Sequence, residues 1–347
     1  MEYVIFGESH GHAIGVTLTG VPAGLSVDMD FIQRQLDRRA PGKDPLSTPR
    51  RETDVPTILS VVFEGRTTGT PLTAVIPNAD THSSDYADLV RYPRPSHGDY
   101  AGSVRYRGCN DYRGGGHFSG RLTAPLVFAG ALAKLILAQQ GVRVGAHISS
   151  IYGISDAPCE RCEDLLGLEE RDFPVLDEAK GREMQQAILD AKAEGDSVGG
   201  SIECAVLGLS AGFGEPDLGK NVEGIFSKHL FAVPAVKAVG FGAGVAFAYM
   251  RGSEANDPFA LEDGKIVTKT NNAGGVNGGI TNGMPVVFEV TLRPTPSIAI
   301  EQKTVDLETM TPAQHAVKGR HDPCVVQRAV PVIEAAAAVA ACDVLGM

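Results

Sequence analysis

The chain has 347 residues, 43% of them hydrophobic, and a net charge of −11. That length and apolar share suit a folded chain with a buried core and exclude a disordered or fibrous one. The acidic balance excludes a general nucleic-acid binder, which needs a basic face, and no window reads as the eighteen or so unbroken apolar residues of a membrane helix. The first strand-like stretches are "EYVIF" and "HAIGVTLTG", followed by "TILSVVFEG" and "PLTAVIPN". Between them, "MDFIQRQLDRR" reads as a helix capped by Asp28. Next come "TAPLVFAGALAKLILAQQG", long, apolar and ended by Gly141, and the amphipathic "EMQQAILDAKAEG". Strand alternation returns in "SIECAVLGLSAG" and "MPVVFEVTLRP", and "AVPVIEAAAAVAACDVLG" closes the chain as a second apolar helix. The two most apolar helices should be buried, and no low-complexity linker divides the chain. A single α+β domain over residues 1–347 is expected. "GGGHFSGR" and "KGRHDPC" each precede an apolar helix, a hint of duplicated layout.

The opening residues lack the basic start, apolar run and cleavage site of a signal peptide, so a cytoplasmic location is expected. Of 6 cysteines, Cys109, Cys204, Cys324 and Cys342 stand far apart, as reduced thiols do. Cys159 and Cys162 form one C-x-x-C without a second ligand pair. A surface loop bearing two thiols is the expectation, and metal or redox use the alternative.

The charge is uneven. From Arg34 to Arg51 six basic residues (Arg34, Arg38, Arg39, Lys43, Arg50, Arg51) face two acids, and from Arg91 to Arg121 six arginines (Arg91, Arg94, Arg105, Arg107, Arg113, Arg121) face Asp99 and Asp111. Arginine grips phosphate and carboxylate through paired hydrogen bonds, so concentrated arginine in an acidic chain points to a small polyanionic ligand. The loops "RYPRPSHGDY", "DYRGGGHFSGR", "TNNAGGVNGGITNG" and "KGRHDPC" are too glycine-rich for core and too charged for mere connectors.

"GESHG" at Gly7–Gly11 also fits G-x-S-x-G, the turn that presents a nucleophilic serine. Such a turn needs a strand before it and a helix after it. Here a second strand follows, so Ser9 is not expected to be a nucleophile. His10 and His12 form an H-x-H with no carboxylate-rich partner site, and no metal is expected.

Taken together, "GESHG", "RPSHGDY", "DYRGGG", "GHFSGRLTA", "EGDSVGG", "GFGEP", "PAVKAVGFG", "NNAGGVNGG" and "RHDPCVVQRAVPVIEA" resemble, in order, the sequence blocks of the chorismate synthase family. The resemblance covers nearly the whole chain. It implies a β-α-β sandwich with long central helices between antiparallel sheets, usually a homotetramer. It implies reduced FMN as cofactor, with NADPH as a flavin reductant either through this chain or through a separate reductase. The implied reaction is a 1,4-anti elimination of phosphate from 5-enolpyruvylshikimate-3-phosphate, giving chorismate for aromatic amino acid biosynthesis. By motif, the catalytic residues are His10, beside the leaving phosphate, His97, next to the flavin, and Asp322, relaying a proton with flavin N5. Flavin contacts carried over by motif are His117, Phe118, Ser119, Ala235, Gly278, Arg293, Thr295, Ser297 and Arg320. Ser9, Arg39 and Arg121 are implied at the substrate. The chain departs from the family where His117-Phe118-Ser119 replaces Arg-Ser-Ser, where Arg293-Pro294-Thr295-Pro296-Ser297 replaces Lys-Pro-Thr-Ser-Ser, and at Pro45, where an arginine is usual.

Overall fold

The computed structural model describes the chain except residues 49, 51, 80–82, 218, 318 and 320, and the side chains of 83–85. The expected flavin contact Arg320, and Arg51 of the first arginine island, lie outside the described residues.

Two antiparallel sheets enclose the central helices. In the first, β1 (Glu2–Gly7) pairs with β2 (Ala13–Thr19), β2 with Leu72–Pro77, and that strand with Thr57–Ile58. Ile14, Val16 and Leu18 of β2 and Leu72, Ala74 and Ile76 of its neighbour are buried inward. The second sheet runs in the order Val236–Phe241, Val286–Leu292, Gly200–Leu207, Arg143–Ile151 and Ile154–Ser155. Its strand Val286–Leu292 alternates as expected, burying Val286, Phe288, Val290 and Leu292.

Seven α-helices accompany the sheets among the described residues: α1 (Met29–Arg39), α2 (Asp99–Arg105), α3 (Thr123–Ala138), α4 (Glu178–Ala193), α5 (Val222–Phe231), α6 (Gly252–Ala255) and α7 (Val326–Val344). Asp28 caps α1 as expected, its carboxylate accepting from Phe31 N at 2.8 Å. The apolar helices α3 and α7 pack on each other at the centre, α3 against the first sheet and α7 against the second. Their contact is close at Gly130, where a β-carbon would lie 2.2 Å from Ala335 Cβ. The run of alanines Ala335–Ala338 in α7 permits the same close approach. This is the β-α-β sandwich that the resemblance implies.

Arg38 of α1 and Lys134 of α3 converge on Glu334 of α7. Arg38 donates to both Glu334 oxygens at 2.6 and 2.8 Å, and Lys134 Nζ donates to Oε2 at 2.6 Å. Burial alone would raise the Glu334 pKa, but the two cations hold it down to about 2. A buried carboxylate so paired ties three helices together and cannot lose one partner cheaply.

The structure corrects one sequence expectation about the strands. "TILSVVFEG" is not one strand. It breaks into Thr57–Ile58 and Val62–Phe63 because Val61 takes a left-handed backbone, φ 66°, while the Ser60 hydroxyl bonds to Pro71 O. The stretch Gly120–Ala138 is long and apolar enough to span a membrane by length and composition, with Arg121 and Lys134 interrupting an otherwise apolar run. However, 83% of its window is buried inside the protein, as for the core helix of a globular fold.

Candidate active site

The "GESHG" stretch folds as the turn of the β1–β2 hairpin, not between strand and helix. Gly7 pairs with Ile14 at φ 92°, a left-handed conformation at which a β-carbon would collide with Ala13 O. Ser9 is fully buried and its hydroxyl has no hydrogen-bond partner among the described residues. It is therefore not presented as a nucleophile. His10 is also buried, and its Nδ1 is likewise unpartnered among the described residues. His12 is exposed, so the two histidines do not face a shared ligand.

"DYRGGGHFSGR" forms three consecutive left-handed glycines, Gly114, Gly115 and Gly116, that bring backbone against the histidines. A β-carbon on Gly114 would sit 2.1 Å from His10 Cε1, and one on Gly115 would sit 3.2 Å from His97 Cε1. The triglycine thus spans from one histidine to the other. The ring of Tyr86 closes over His10 edge-on, centroids 5.1 Å apart.

These segments border a cleft of about 270 Å³. Its wall includes His97, Ser119, Ala235, Arg293, Ser297 and Asp322, brought together from five distant stretches. Phe118, Thr295, Arg39 and Arg121 also line it. Of the residues implied by motif, His10 and Ser9 lie behind Gly114 and Tyr86 rather than on the wall. His117 is exposed and turns its Nδ1 to Gly7 O at 3.0 Å, away from the cleft. Gly278 is exposed in the turn of a separate hairpin, Val276–Asn277 with Ile280–Thr281, and does not reach the cleft within this chain.

The arginine islands are not an open field of positive charge. Arg39 and Arg121 are both buried and both bound to Asp54, Arg39 Nη1 at 2.6 Å and Arg121 Nη1 in a still shorter contact. Burial would raise the Asp54 pKa, but the two guanidinium groups hold it below the ordinary carboxylate range. Arg50 binds Glu52, Arg91 binds Asp306, Arg94 binds Asp99 and Arg113 binds Asp111. An unpaired buried charge is too costly to keep, so the fold supplies a carboxylate for the buried Arg39, Arg94 and Arg121, while the pairs of Arg91 and Arg113 lie at the exposed surface. Arg293 differs: among the described residues it has no carboxylate within ion-pair distance, and its guanidinium is partly withdrawn from water in the cleft.

Asp322 is held on both oxygens. Thr48 N donates to Oδ1 at 2.9 Å, and Arg328 Nη1 donates to Oδ2. Thr295 Oγ1 donates to the Asp322 carbonyl at 2.8 Å, tying the Arg293–Ser297 loop to the "RHDPC" loop. Ala235 adopts φ 74° and its carbonyl accepts from Arg293 N at 3.0 Å, which sets the base of that loop. Both histidines have lowered pKa values. For His10 the causes are burial first and then Arg50; for His97, burial outweighs the opposing hydrogen bond to Asp99.

The family model described as chorismate synthase matches residues 1–345. The chain belongs to the chorismate synthase family. A chorismate synthase from Thermococcus gammatolerans is 46% identical over 343 residues, covering 99% of this chain and 95% of the relative. One from Aeropyrum pernix is also 46% identical, covering 98% and 90%, and one from Dehalococcoides mccartyi is 44% identical, covering 97% and 93%. A solved structure named "Crystal Structure of Chorismate Synthase" superposes with a TM-score of 0.77 at 27% identity, covering 99% of this chain and 91% of that one. The chorismate synthase sandwich is therefore the fold in which this cleft is set.

Sequence reasoning did not single out Arg94, Asp99, Tyr86, Arg328 or Asp54 as site residues. Asp99 carried a signal, standing two residues after His97 inside "RPSHGDY". Asp54 carried none, because its role comes from two arginines that fold onto it from elsewhere.

The C-x-x-C is not part of this cleft. Cys159 and Cys162 are half-buried, free, and hydrogen-bonded to each other, which pushes the Cys159 thiol up and draws Cys162 down. Among the described residues no group of three His, Cys, Asp or Glu side chains is arranged to hold a metal ion.

Proposed function

We propose that this protein is a lyase of the shikimate pathway, eliminating phosphate from 5-enolpyruvylshikimate-3-phosphate to form chorismate with reduced FMN as cofactor. The observation that carries the reading is the convergence of His97, Ser119, Ala235, Arg293, Ser297 and Asp322 on one cleft, within a chain that matches the family along its length.

The cleft fits a flavin phosphate and ring. Arg293 offers a guanidinium with no carboxylate partner among the described residues, suited to a phosphate. Val233, Leu292, Val325 and Val332 supply apolar wall suited to a flat ring. Bound in this cleft, a reduced flavin would supply transient electron density to the reacting substrate, a role that leaves no net redox change. The remaining work falls to the chain's own residues. His10 is held in place by Gly114 and Tyr86. Its lowered pKa makes it neutral without ligand, and a phosphate dianion beside it would raise that pKa and make the imidazole a proton donor to the leaving group. His97 handles a proton at the flavin side of the cleft. Asp322, oriented by Arg328 and Thr48, accepts one. Arg39 and Arg121 shape the substrate end while sharing their charge with Asp54.

The same reading includes a homotetramer in the cytoplasm, with the source of reducing equivalents, NADPH through this chain or a reductase, decided by assay. Exposed apolar side chains at Val245, Tyr249, Phe259 and Leu261 support association between copies. Anaerobic phosphate release from the substrate, with and without chemically reduced FMN, tests the function. Release independent of FMN, or none with it, would overturn the reading.

A further inference from the structure

His97 lies in a built clamp that the chemistry above does not require. The "RPSHGD" loop turns back on itself, with His97 N donating to Arg94 O at 3.3 Å and Ser96 at φ 61° between them. Asp99, the first residue of α2, turns its carboxylate into this loop and is buried. Four donors converge on its two oxygens. Arg94 N and Nε reach Oδ2 at 3.0 and 2.7 Å, and Arg94 Nη2 and His97 Nδ1 reach Oδ1 at 2.7 and 2.6 Å. The remaining Arg94 nitrogen, Nη1, donates to Ser297 Oγ at 2.9 Å, so the clamp also fastens the flavin-side loop.

The geometry decides where the imidazole proton sits. A carboxylate gripped by a guanidinium along its whole edge is ionised and only accepts hydrogen bonds. A 2.6 Å contact between His97 Nδ1 and that oxygen needs a hydrogen between them, because two lone pairs would repel at this distance. The 3.0 Å approach of Arg94 Nη2 to His97 Nδ1 is then two donors meeting over one acceptor oxygen. Nδ1 therefore carries the proton, and Nε2, which has no hydrogen-bond partner among the described residues, keeps its lone pair on the side of the ring away from Asp99, in a residue that lines the cleft.

We propose that Asp99, clamped by Arg94, is the positioning residue of His97, fixing its proton on Nδ1 and leaving Nε2 as a proton acceptor directed at the bound ligands. The functional half rests on reading His97 as a proton-handling residue; the tautomer does not. Asp99 touches no reacting atom. It acts through the ring, as a carboxylate behind a catalytic imidazole does.

The test is solid-state 15N spectroscopy of the full-length protein labelled at its 9 histidines, with the His97 signals assigned by their loss in His97→Gln. At neutral pH, wild-type His97 is expected as the Nδ1–H tautomer, which free imidazole side chains disfavour. Finding Nε2–H in wild type overturns the proposal without need of any variant. In Asp99→Asn the carboxylate is gone, and reversion toward Nε2–H is expected; an unchanged Nδ1–H would also overturn it. In turnover, Asp99→Asn should lower kcat at least about tenfold with a smaller change in KM. The double variant with His97→Ala should be no slower than His97→Ala alone. Multiplying losses would show Asp99 acting independently of His97 and sink the positioning role. Should His97→Ala turn over normally, the reading of His97 fails, and the spectroscopy still judges the tautomer.

Discussion

Gly114 lies so close to His10 that a β-carbon on the glycine would be 2.1 Å from the imidazole Cε1, with backbone φ of 59°. Both facts demand glycine: the left-handed backbone is strained for other residues, and the space is already filled by the ring. Gly114→Ala should displace His10 and lower kcat at least about tenfold, about 1.4 kcal/mol in barrier, while the circular dichroism spectrum stays that of the wild type. Steady-state kinetics at wild-type level would show that the close approach is not needed.

Ser9 is sealed behind the same contact. Ser9→Ala should weaken turnover without abolishing it, and a fluorophosphonate probe should leave the wild-type protein unlabelled. Stoichiometric labelling at Ser9 would make it a nucleophile after all.

Arg293 is the cleft arginine free of an internal carboxylate among the described residues. Arg293→Ala should weaken FMN binding at least about tenfold, the loss of one charge-assisted phosphate contact. Arg50→Ala, whose partner is Glu52, should weaken it less. Fluorescence titration of the two variants decides this, and equal losses would mean that the phosphate is not held by Arg293.

The two histidines have different surroundings: His97 lines the cleft, and His10 lies behind Gly114 and Tyr86. His10→Ala and His97→Ala should each lose at least about tenfold in kcat. Only His97→Ala should alter the absorption spectrum of bound reduced flavin. Identical spectra in the two variants would contradict the division of roles.

The Glu334 triad predicts an acid-sensitive core. Glu334 has a folded pKa of about 2 against an ordinary 4.5, so its contribution is fully present above 4.5 and is lost as pH falls from about 4.5 to about 2. Glu334→Ala leaves Arg38 and Lys134 without their partner and should cost about 3–5 kcal/mol. Denaturant midpoints at neutral pH check this, and a shift near zero would mean the helices hold without the triad.

The sequence by itself determined the two central helices, because apolar character as dense as that of Thr123–Ala138, broken only by Lys134, has nowhere to go but inside. It determined "EYVIF" and "HAIGVTLTG" as strands from their alternation, and the structure supplied their pairing and register. The ordered blocks likewise carried the family and most of the cleft wall. Tertiary structure alone decided the state of the arginines. In sequence, Arg39 and Arg121 looked like free cations awaiting an anion, because the acids that neutralise them are not neighbours on the chain. Asp54 is 15 residues from Arg39 and 67 from Arg121, and Glu334 is 296 from Arg38. A charge's worth depends on its distance and burial, and linear spacing holds neither across such separations. The same holds for His117, whose motif position implied a flavin contact but whose ring turns to Gly7 O. It holds for His97 too: Asp99 was visible two residues on, yet only the folded loop, with Arg94 closing behind it, aligns that carboxylate with Nδ1.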